Sequence, residues 1–377
     1  MRPMSVSTVS ARLLRAVLLL LLGASLGPPA ALGLAAIEPP PAPPAPSAAR
    51  GMFSNPIGIH VADPSVIWHD GVYYLYGTSA RDGFRVWTSP DLRDWTPRGH
   101  CFKRTAESWG RERFWAPEVI ERHGRFYLFY SAAGPTGDDG RLSLRVCLAA
   151  SDSPLGPFED VAAPLWDPGY ATIDAFPFVD ADGAAYLYFV RDTSEQPTSD
   201  VYVARLSEDF RHVDAEATRC LTPSQPWEGG RWNEGPAVLA HERADGRTVY
   251  VMAYSANGYF DPAYAVGYAT ADGPVGPWTK AAENPILARR DTPAGPVSGP
   301  GHGSFLRRPG GAGELLYVYH VHRRPTGGGD REVAIDRARL VEGDDGGVRL
   351  TIAGPTRGAP QPFPAAPEPA TASAGGA

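Results

Sequence analysis

Short apolar runs rich in tyrosine and branched residues recur five times along the chain, each directly after a glycine. The run-opening glycines lie 53 to 67 residues apart and are Gly71, Gly124, Gly183, Gly246 and Gly313. Aromatic and β-branched residues behind Asp-Gly and similar turns are typical of β-strands. The units contain no long amphipathic helix, so the pattern predicts five similar all-β units.

The segments that follow the apolar runs repeat as well. Each contains a second strand-like stretch, a turn with Pro, Gly or Asp, and an outer strand that is often marked by an aromatic residue. A unit therefore holds about four strands, and repeated four-stranded sheets around an axis form a β-propeller. We predict an all-β fold, a five-bladed β-propeller of four-stranded blades. A β-sandwich or two stacked β domains are the alternatives.

The N-terminal segment has the layout of a secretory signal peptide. Within residues 1–36, Arg2, Arg12 and Arg15 precede an apolar run that ends in small residues and prolines. An uncleaved membrane anchor is the alternative, because no charged residue lies between Arg15 and Glu38. We expect a secreted or periplasmic protein with no membrane contact beyond such an anchor.

Proline- and alanine-rich segments flank the part of the chain that is expected to fold. Residues 37–50 are predicted to form a linker, and residues 355–377 a disordered tail. Residues 51–354 remain as the propeller domain, which is large enough to bury a core without a metal or a disulfide. The three cysteines lack the spacing of a disulfide framework or a zinc site.

The charge of the chain restricts its partners. The formal net charge is −7, and no basic stretch follows the N-terminal segment. Nucleic acid is therefore not an expected partner, and an anionic substrate would gain nothing from the overall field. We expect a monomer that acts on a neutral substrate.

Three carboxylates stand at the heads of similar segments. Asp63 opens "DPSVIWHDGVYYLYG", Asp174 opens "DAFPFVDADGAAYLYF" and Glu234 opens "EGPAVLAHERADGRTVYVMAY". Each acid is followed by a proline within three residues and then by an apolar run, so we assign all three to matching positions of the repeat. The head of every innermost propeller strand lies near the axis. The three acids should therefore converge, an arrangement typical of acid–base chemistry on a polyhydroxylated substrate.

Five motifs in this order resemble glycoside hydrolase family 43. They are "ADPSVIWHDGVYYLYGTS", "FWAPEVIERHGRFYLFYS", "IDAFPFVDADGAAYLYF", "NEGPAV" and "GPGHGSF". The resemblance implies a five-bladed propeller enzyme that cleaves arabinofuranosyl or xylosyl linkages with inversion. It implies that Asp63 is the general base, Glu234 the general acid, and Asp174 the group that orients the acid and raises its pKa. An inverting enzyme needs one protonated and one ionised carboxyl group on opposite faces of the sugar.

The same resemblance implies roles for four further residues. Trp115 and Phe176 would line the sugar pocket, and Arg331 would reach a sugar hydroxyl. His302 would lie near the axis and face a structural calcium ion, if one is bound, through water, because calcium prefers oxygen ligands. No cofactor is expected to be required for the reaction.

Two alternatives stay open at this stage. A retaining fructosidase-type propeller is disfavoured because the first motif reads Ala62-Asp63-Pro64-Ser65. A carbohydrate-binding propeller without catalysis is disfavoured because all three acids are present. The sequence does not decide between exo and endo action, nor which sugar is released. We favour exo-type release of arabinofuranose.

Overall fold

Five four-stranded antiparallel sheets make up nearly all of the structure, as the repeats predict. The computed structural model of the chain describes residues 52–136, 140–194, 196–214, 216–309, 314–343, 346–358 and 360–362. The predicted signal peptide, linker and most of the tail lie outside the described residues. In the described part, the only helical element is one 3₁₀ turn, Pro226–Glu228.

Each sheet is built from four strands that are consecutive in the chain. In chain order the strands are Ala62–His69, Val72–Ala80, Gly83–Ser89 and Thr96–Lys103 in blade 1; Glu112–Arg122, Arg125–Ala133, Leu144–Ser151 and Glu159–Ala162 in blade 2; Thr172–Val179, Ala185–Arg191, Asp200–Leu206 and Thr218–Leu221 in blade 3; Asn233–Glu242, Thr248–Ala256, Ala265–Ala271 and Thr279–Lys280 in blade 4; and Gly301–Arg307, Leu315–His322, Arg331–Glu342 and Val348–Ile352 in blade 5. A short hairpin, Arg290–Thr292 with Gly295–Val297, joins blades 4 and 5.

The first strands of neighbouring blades contact one another in a closed ring, blade 1 to 2, 3, 4, 5 and back to 1. This ring identifies the first strand of each blade as the innermost and confirms the propeller. The hydrophobic core is divided accordingly into five clusters, each of which lies chiefly between two adjacent blades. The apolar runs of the sequence form the second strands, which are nearly completely buried in blades 2, 4 and 5. Burial of these runs on both faces holds the blades together.

Every innermost strand breaks its register at the same place near its start. In each blade a β-bulge follows the first one or two paired residues, one in blades 1 and 5 and two in blades 2, 3 and 4. One residue in each bulge has a positive φ, and these are Asp63 (50°), Ala116 (46°), Asp174 (56°), Gly235 (57°) and His302 (43°). A bulge interrupts the alternation of side chains and redirects one of them. In this fold the bulges redirect side chains towards the axis.

The ring is closed by the two ends of the described chain. Met52–Phe53 pairs with Gln361–Pro362, and the segment that follows Phe53 runs along blade 5, where Ile57 donates its N–H to Val333 O at 2.9 Å. The paired structure thus extends beyond the boundary predicted at residue 354.

Within the described residues, no helix has the length and apolar character needed to cross a lipid bilayer. All three cysteines are free thiols, and Cys147 is buried in a strand of blade 2.

We predict that Asn55→Ala lowers the free energy of unfolding by about 2–4 kcal/mol. The Asn55 side chain is buried, donates to Ile335 O at 2.7 Å and accepts the Ile335 N–H at 2.9 Å. Alanine would leave both backbone groups of Ile335 without their partner. Denaturant unfolding measures the change, and exposed Ser54→Ala is the matched control. Equal stability of the two variants would contradict the role of this contact in ring closure.

Candidate active site

The bulges of blades 1, 3 and 5 bring Asp63, Asp174 and His302 together at the axis. His302 Nδ1 lies 3.4 Å from Asp63 Oδ1 and 3.9 Å from Asp174 Oδ2. Both carboxylates are at least nine-tenths buried. The predicted convergence of these residues is therefore confirmed.

The assignment of Glu234 to the same repeat position is wrong by one residue. Glu234 pairs with Ser255 ahead of the bulge, in the register that Trp115 occupies opposite Ser131 in blade 2. The bulge itself is Gly235, where a Cβ would lie 2.8 Å from Cγ of His302. Only glycine fits there without displacing the histidine. In blade 4 the acid is therefore the residue directly before the bulge, not the bulge residue itself.

The N–H groups of the bulges are satisfied by a ring of hydrogen bonds between blades. In four of five cases, a side chain at the end of the second strand of the preceding blade accepts the bond. The pairs are Ala116 to Thr78 Oγ1 (2.8 Å), Asp174 to Ser131 Oγ (3.0 Å), His302 to Ser255 Oγ (2.8 Å) and Asp63 to His320 Nδ1 (3.2 Å).

Blade 3 is the exception in this ring. It carries Val190 at the equivalent position, opposite Ile173, and valine cannot accept a hydrogen bond. The carboxylate of Asp174 takes its place and accepts the Gly235 N–H at 3.1 Å. Asp174 thus holds the backbone directly after Glu234, which fixes the position of that acid.

The surroundings of Asp63 favour its ionised form. Thr78 Oγ1 donates to Asp63 Oδ2 at 2.7 Å, and Arg331 Nη1 donates to Asp63 Oδ1 at 3.2 Å. Burial by itself would raise the pKa of Asp63, but the electrostatic influence of His302 and of the Arg331 guanidinium outweighs it and holds the pKa well below its usual range. Asp63 is therefore a carboxylate that can accept a proton or a hydrogen bond from water.

The pKa values of the other two acids, Glu234 and Asp174, are raised instead of lowered. Burial raises the pKa of Glu234, and the neighbouring Asp174 raises it further. Burial also raises the pKa of Asp174, together with the nearby charge of Asp63. Two like charges at close range in a buried site do not both ionise readily, so the pair retains a proton near neutral pH. The axis therefore holds one ionised carboxylate, Asp63, and a pair of carboxyl groups, Glu234 and Asp174, that retains a proton.

Tyr264 fixes the carboxyl group of Glu234, a role that no sequence motif predicts. Its hydroxyl donates to Glu234 Oε1 at 2.7 Å, and burial raises the pKa of Tyr264 well above its usual value, so it remains a donor. The Tyr264 ring stacks on His320 with centroids 5.6 Å apart and planes 3° apart. Burial lowers the pKa of His320 to about 3, so this imidazole is neutral.

Thr78 and His320 were also missed, although a signal for them exists. They are polar residues that end second strands, shortly after an aromatic residue, at the place where blades 2 and 4 have Ser131 and Ser255. Alignment of the second strands, rather than of the first, would have identified them. Tyr264 lies in a loop outside the repeat and has no such signal.

The remaining predicted residues occupy different depths of the site. Arg331 contacts Asp63, as described, and its guanidinium lies 4.5 Å over the ring of Tyr259. Trp115 is partly buried at the head of blade 2, at the register of Glu234. Phe176 lies after the bulge of blade 3, one layer further along the strand, and packs against the core near blade 4. Pocket-lining roles for Trp115 and Phe176 stay predictions.

Glu118 of blade 2 lies after the bulge, at the same register as Phe176 in blade 3, and so is not at the head of its strand. It accepts a hydrogen bond from Ser65 Oγ at 2.7 Å. Burial raises the pKa of Glu118 to about 8, so the group is largely protonated at neutral pH. The hydrogen-bond partner of Glu118 thus belongs to the first strand of blade 1 and is not one of the three acids.

The described residues do not form a preorganised metal cage. No group of three or more His, Cys, Asp or Glu side chains in that part of the chain is arranged to hold a metal ion. The two carboxylates nearest to His302 are engaged by Arg331 and by the Gly235 N–H. A calcium ion beside His302 would need backbone or water oxygens as ligands, so calcium stays a prediction.

Comparison with known proteins identifies relatives over the whole propeller. The family model described as "Glycosyl hydrolases family 43" matches residues 53–344. The chain is 30% identical over 313 residues to a β-D-galactofuranosidase of Aspergillus niger, covering 78% of this chain and 84% of that protein. It is 27% identical to an extracellular exo-α-(1→5)-L-arabinofuranosidase of Streptomyces avermitilis, covering 77% of this chain and 60% of that protein.

Solved structures give the same result. A thermostable family-43 glycoside hydrolase has a TM-score of 0.75 and 45% identity, and the match covers 83% of this chain and 99% of that one. A structure named endo-1,4-β-xylanase from Bacteroides thetaiotaomicron has a TM-score of 0.67 and 33% identity, covering 81% of this chain and 99% of that one.

We predict that Asp174→Asn lowers the pKa of Glu234 by about one to two pH units, because it removes the neighbouring negative charge. Asparagine keeps an oxygen that can accept the Gly235 N–H, so the backbone should stay in place. Carbon NMR titration of the side-chain carboxyl groups measures the change. The exposed turn residue Asp245→Asn serves as the control and should leave Glu234 unaffected. An unchanged or higher pKa of Glu234 in Asp174→Asn would show that Asp174 does not tune it.

Proposed function

The chain belongs to glycosyl hydrolase family 43 and is a glycoside hydrolase, and on that premise we propose that it is a secreted, inverting enzyme that releases arabinofuranosyl or xylosyl units. The observation that supports this proposal is the division of the acids at the axis. Asp63 is held ionised by its neighbours, whereas Glu234 and Asp174 retain a proton. Inversion requires such a pair of one base and one acid.

In the proposed reaction, Glu234 gives its proton to the glycosidic oxygen, and the bond from that oxygen to the anomeric carbon breaks. Asp63 accepts a proton from the water that attacks the anomeric carbon from the opposite face. One water is consumed, and each of the two products gains a hydroxyl group. Asp63 and Glu234 then return to their starting states by exchanging protons with solvent.

Besides Tyr264, three residues position these two acids. Thr78 and Arg331 each bond one oxygen of Asp63, so its carboxylate has a fixed orientation. Asp174 holds the Gly235 N–H next to Glu234 and raises the pKa of the acid through its charge. A general acid with a raised pKa stays protonated at a pH where a free glutamate would be ionised.

For the substrate we propose a neutral furanosyl or xylosyl unit, with arabinofuranose as the first candidate. The relatives are named for arabinofuranose, galactofuranose and xylan substrates. Nothing at the axis calls for a charged substrate, since Arg331 is already paired with Asp63. A panel of chromogenic arabinofuranosides, xylosides and galactofuranosides, with linear arabinan, distinguishes these sugars and separates exo from endo action.

Secretion is supported by two observations. Residues 1–36 have the layout of a signal peptide, and two of the relatives are named extracellular. N-terminal sequencing of the protein from the culture medium would test export and locate any cleavage.

We predict that Glu234→Gln and Asp63→Asn each lower kcat/KM by at least about a thousandfold, because each removes one proton transfer. Binding of the sugar should survive in both variants. Proton NMR of the first product formed by the unmodified enzyme should show the inverted anomer. Retention would contradict the inverting mechanism and favour a fructosidase-type reaction. Substantial turnover by Glu234→Gln would contradict its role as the acid.

We further propose that hydrolysis requires no cofactor, since the guanidinium of Arg331 already places positive charge beside Asp63. Dialysis against a calcium chelator should therefore change kcat/KM by less than about twofold, a change of under half a kcal/mol. A large loss of activity that added calcium restores would contradict this and support an axial calcium ion near His302.

A further inference from the structure

We propose that Trp232, Tyr259 and Phe260, here called the aromatic rim, bind the sugar units on the leaving-group side of the cleaved bond. This proposal rests on the proposed function, because it takes Glu234 as the acid that protonates the leaving oxygen. It adds a binding surface for the remainder of an oligosaccharide chain. The expected ligand is a neutral oligosaccharide rather than a single sugar with a small leaving group.

The aromatic rim is unusually exposed. The side chains of Tyr259 and Phe260 are 43% and 53% exposed. In the described part of the chain only six large hydrophobic residues are exposed, and these two are adjacent. Contiguous exposed aromatic residues at the mouth of a site mark an interaction surface.

Phe260 lies against the backbone of Gly258 and is otherwise largely open to solvent. A Cβ on Gly258 would lie 2.9 Å from Cζ and 3.0 Å from Cε1 of Phe260, so the ring packs over the backbone of this glycine. The exposed remainder of the ring faces solvent. Trp232 and Tyr259 stand nearly perpendicular to it, at centroid distances of 6.4 and 5.5 Å and interplanar angles of 80° and 82°. The three rings therefore form one aromatic cluster whose exposed part is a surface on which an apolar face can pack.

The aromatic rim is connected to both sides of the catalytic axis. Trp232 lies two residues before Glu234 and so points to the same side of the extended backbone. The loop that carries Tyr259 and Phe260 continues to Tyr264, which bonds Glu234. On the other side, Arg331 packs over Tyr259 and bonds Asp63. A sugar chain that leaves from Glu234 would therefore meet these rings first.

Backbone contacts hold the aromatic rim in place. Gly328 donates its N–H to Phe260 O at 2.9 Å, and His322 Nε2 lies 2.6 Å from Tyr259 O. Ser199 bonds the residues on both sides of Trp232, since its N–H donates to Arg231 O and its carbonyl accepts the Asn233 N–H. A preorganised surface loses little conformational entropy on binding.

The chemistry of the aromatic rim favours a sugar as the occupant. Aromatic rings offer flat apolar faces, and the guanidinium of Arg231, 4.6 Å over Trp232, offers hydrogen-bond donors beside them. A pyranose or furanose unit presents an apolar face and a polar edge that match this combination. The position next to Glu234 assigns the surface to the leaving group rather than to a second protein.

The test uses Glu234→Gln, which should bind without turnover, and a series of arabino- and xylo-oligosaccharides from the disaccharide to the hexasaccharide. Calorimetry should show affinity that rises with chain length. Adding Phe260→Ala should remove that rise, with about a tenfold loss on the longest member. Gly258→Ala should have the same effect because it displaces the ring, and Phe260→Trp should restore most of the rise. Trp68→Ala, which removes a 43% exposed aromatic residue elsewhere in blade 1, is the matched control.

Two outcomes would overturn the proposal. Affinity that does not depend on chain length in Glu234→Gln, or a length dependence that survives both Phe260→Ala and Gly258→Ala, would show that the aromatic rim does not bind the leaving group. Either result leaves the proposed hydrolysis untouched, since turnover is measured separately on the unmodified enzyme. Conversely, binding through the rim without any turnover by the unmodified enzyme would support the surface and contradict the hydrolase mechanism.

Discussion

The positive-φ bulge near the start of each innermost strand is the constraint on which the site depends. A non-glycine residue in this conformation costs about 1–3 kcal/mol, so it persists only where its surroundings hold it. Here the ring of side-chain acceptors from neighbouring blades binds the N–H of every bulge. The same bonds therefore stabilise the backbone at the axis and aim Asp63, Asp174 and His302 at one another.

Convergence alone would give three acids that repel one another, and the residues that contact them relieve this repulsion. Thr78 and Arg331 stabilise the charge on Asp63, whereas Glu234 and Asp174 lie in buried surroundings that favour a shared proton. Blade 3 contributes through an exception to the repeat. Because Val190 cannot accept a hydrogen bond, Asp174 serves as the acceptor for the Gly235 N–H and so couples its own position to that of Glu234. The valine at this position of blade 3, where the other blades have a polar side chain, thereby determines how the site is built.

Most of the fold and part of the site could be predicted from the sequence. The five apolar runs and their turns identify the blades, and the motifs around Asp63 and Asp174 place these acids at the axis. Glu234 was identified as well, but it was placed one residue out of register. The pattern of an acid followed by a proline does not reveal that the bulge residue of blade 4 is the glycine directly after the acid. Tyr264 was not predictable, since it depends on the course of a loop that differs between blades. The same holds for Tyr259 and Phe260, whose importance follows from their exposure rather than from any motif.

The division of charge at the axis is tested most directly by the pH dependence of kcat/KM for the unmodified enzyme. The acid limb reports protonation of Asp63 and should lie well below the ordinary range of aspartate, because the pKa of Asp63 is lowered. The alkaline limb reports loss of the proton held by Glu234 and Asp174 and should lie above the ordinary range of glutamate, because both pKa values are raised. We expect a broad plateau between the two limbs. An acid limb near pH 5, or an alkaline limb in the ordinary carboxyl range near pH 4–5, would contradict the assignment of base and acid.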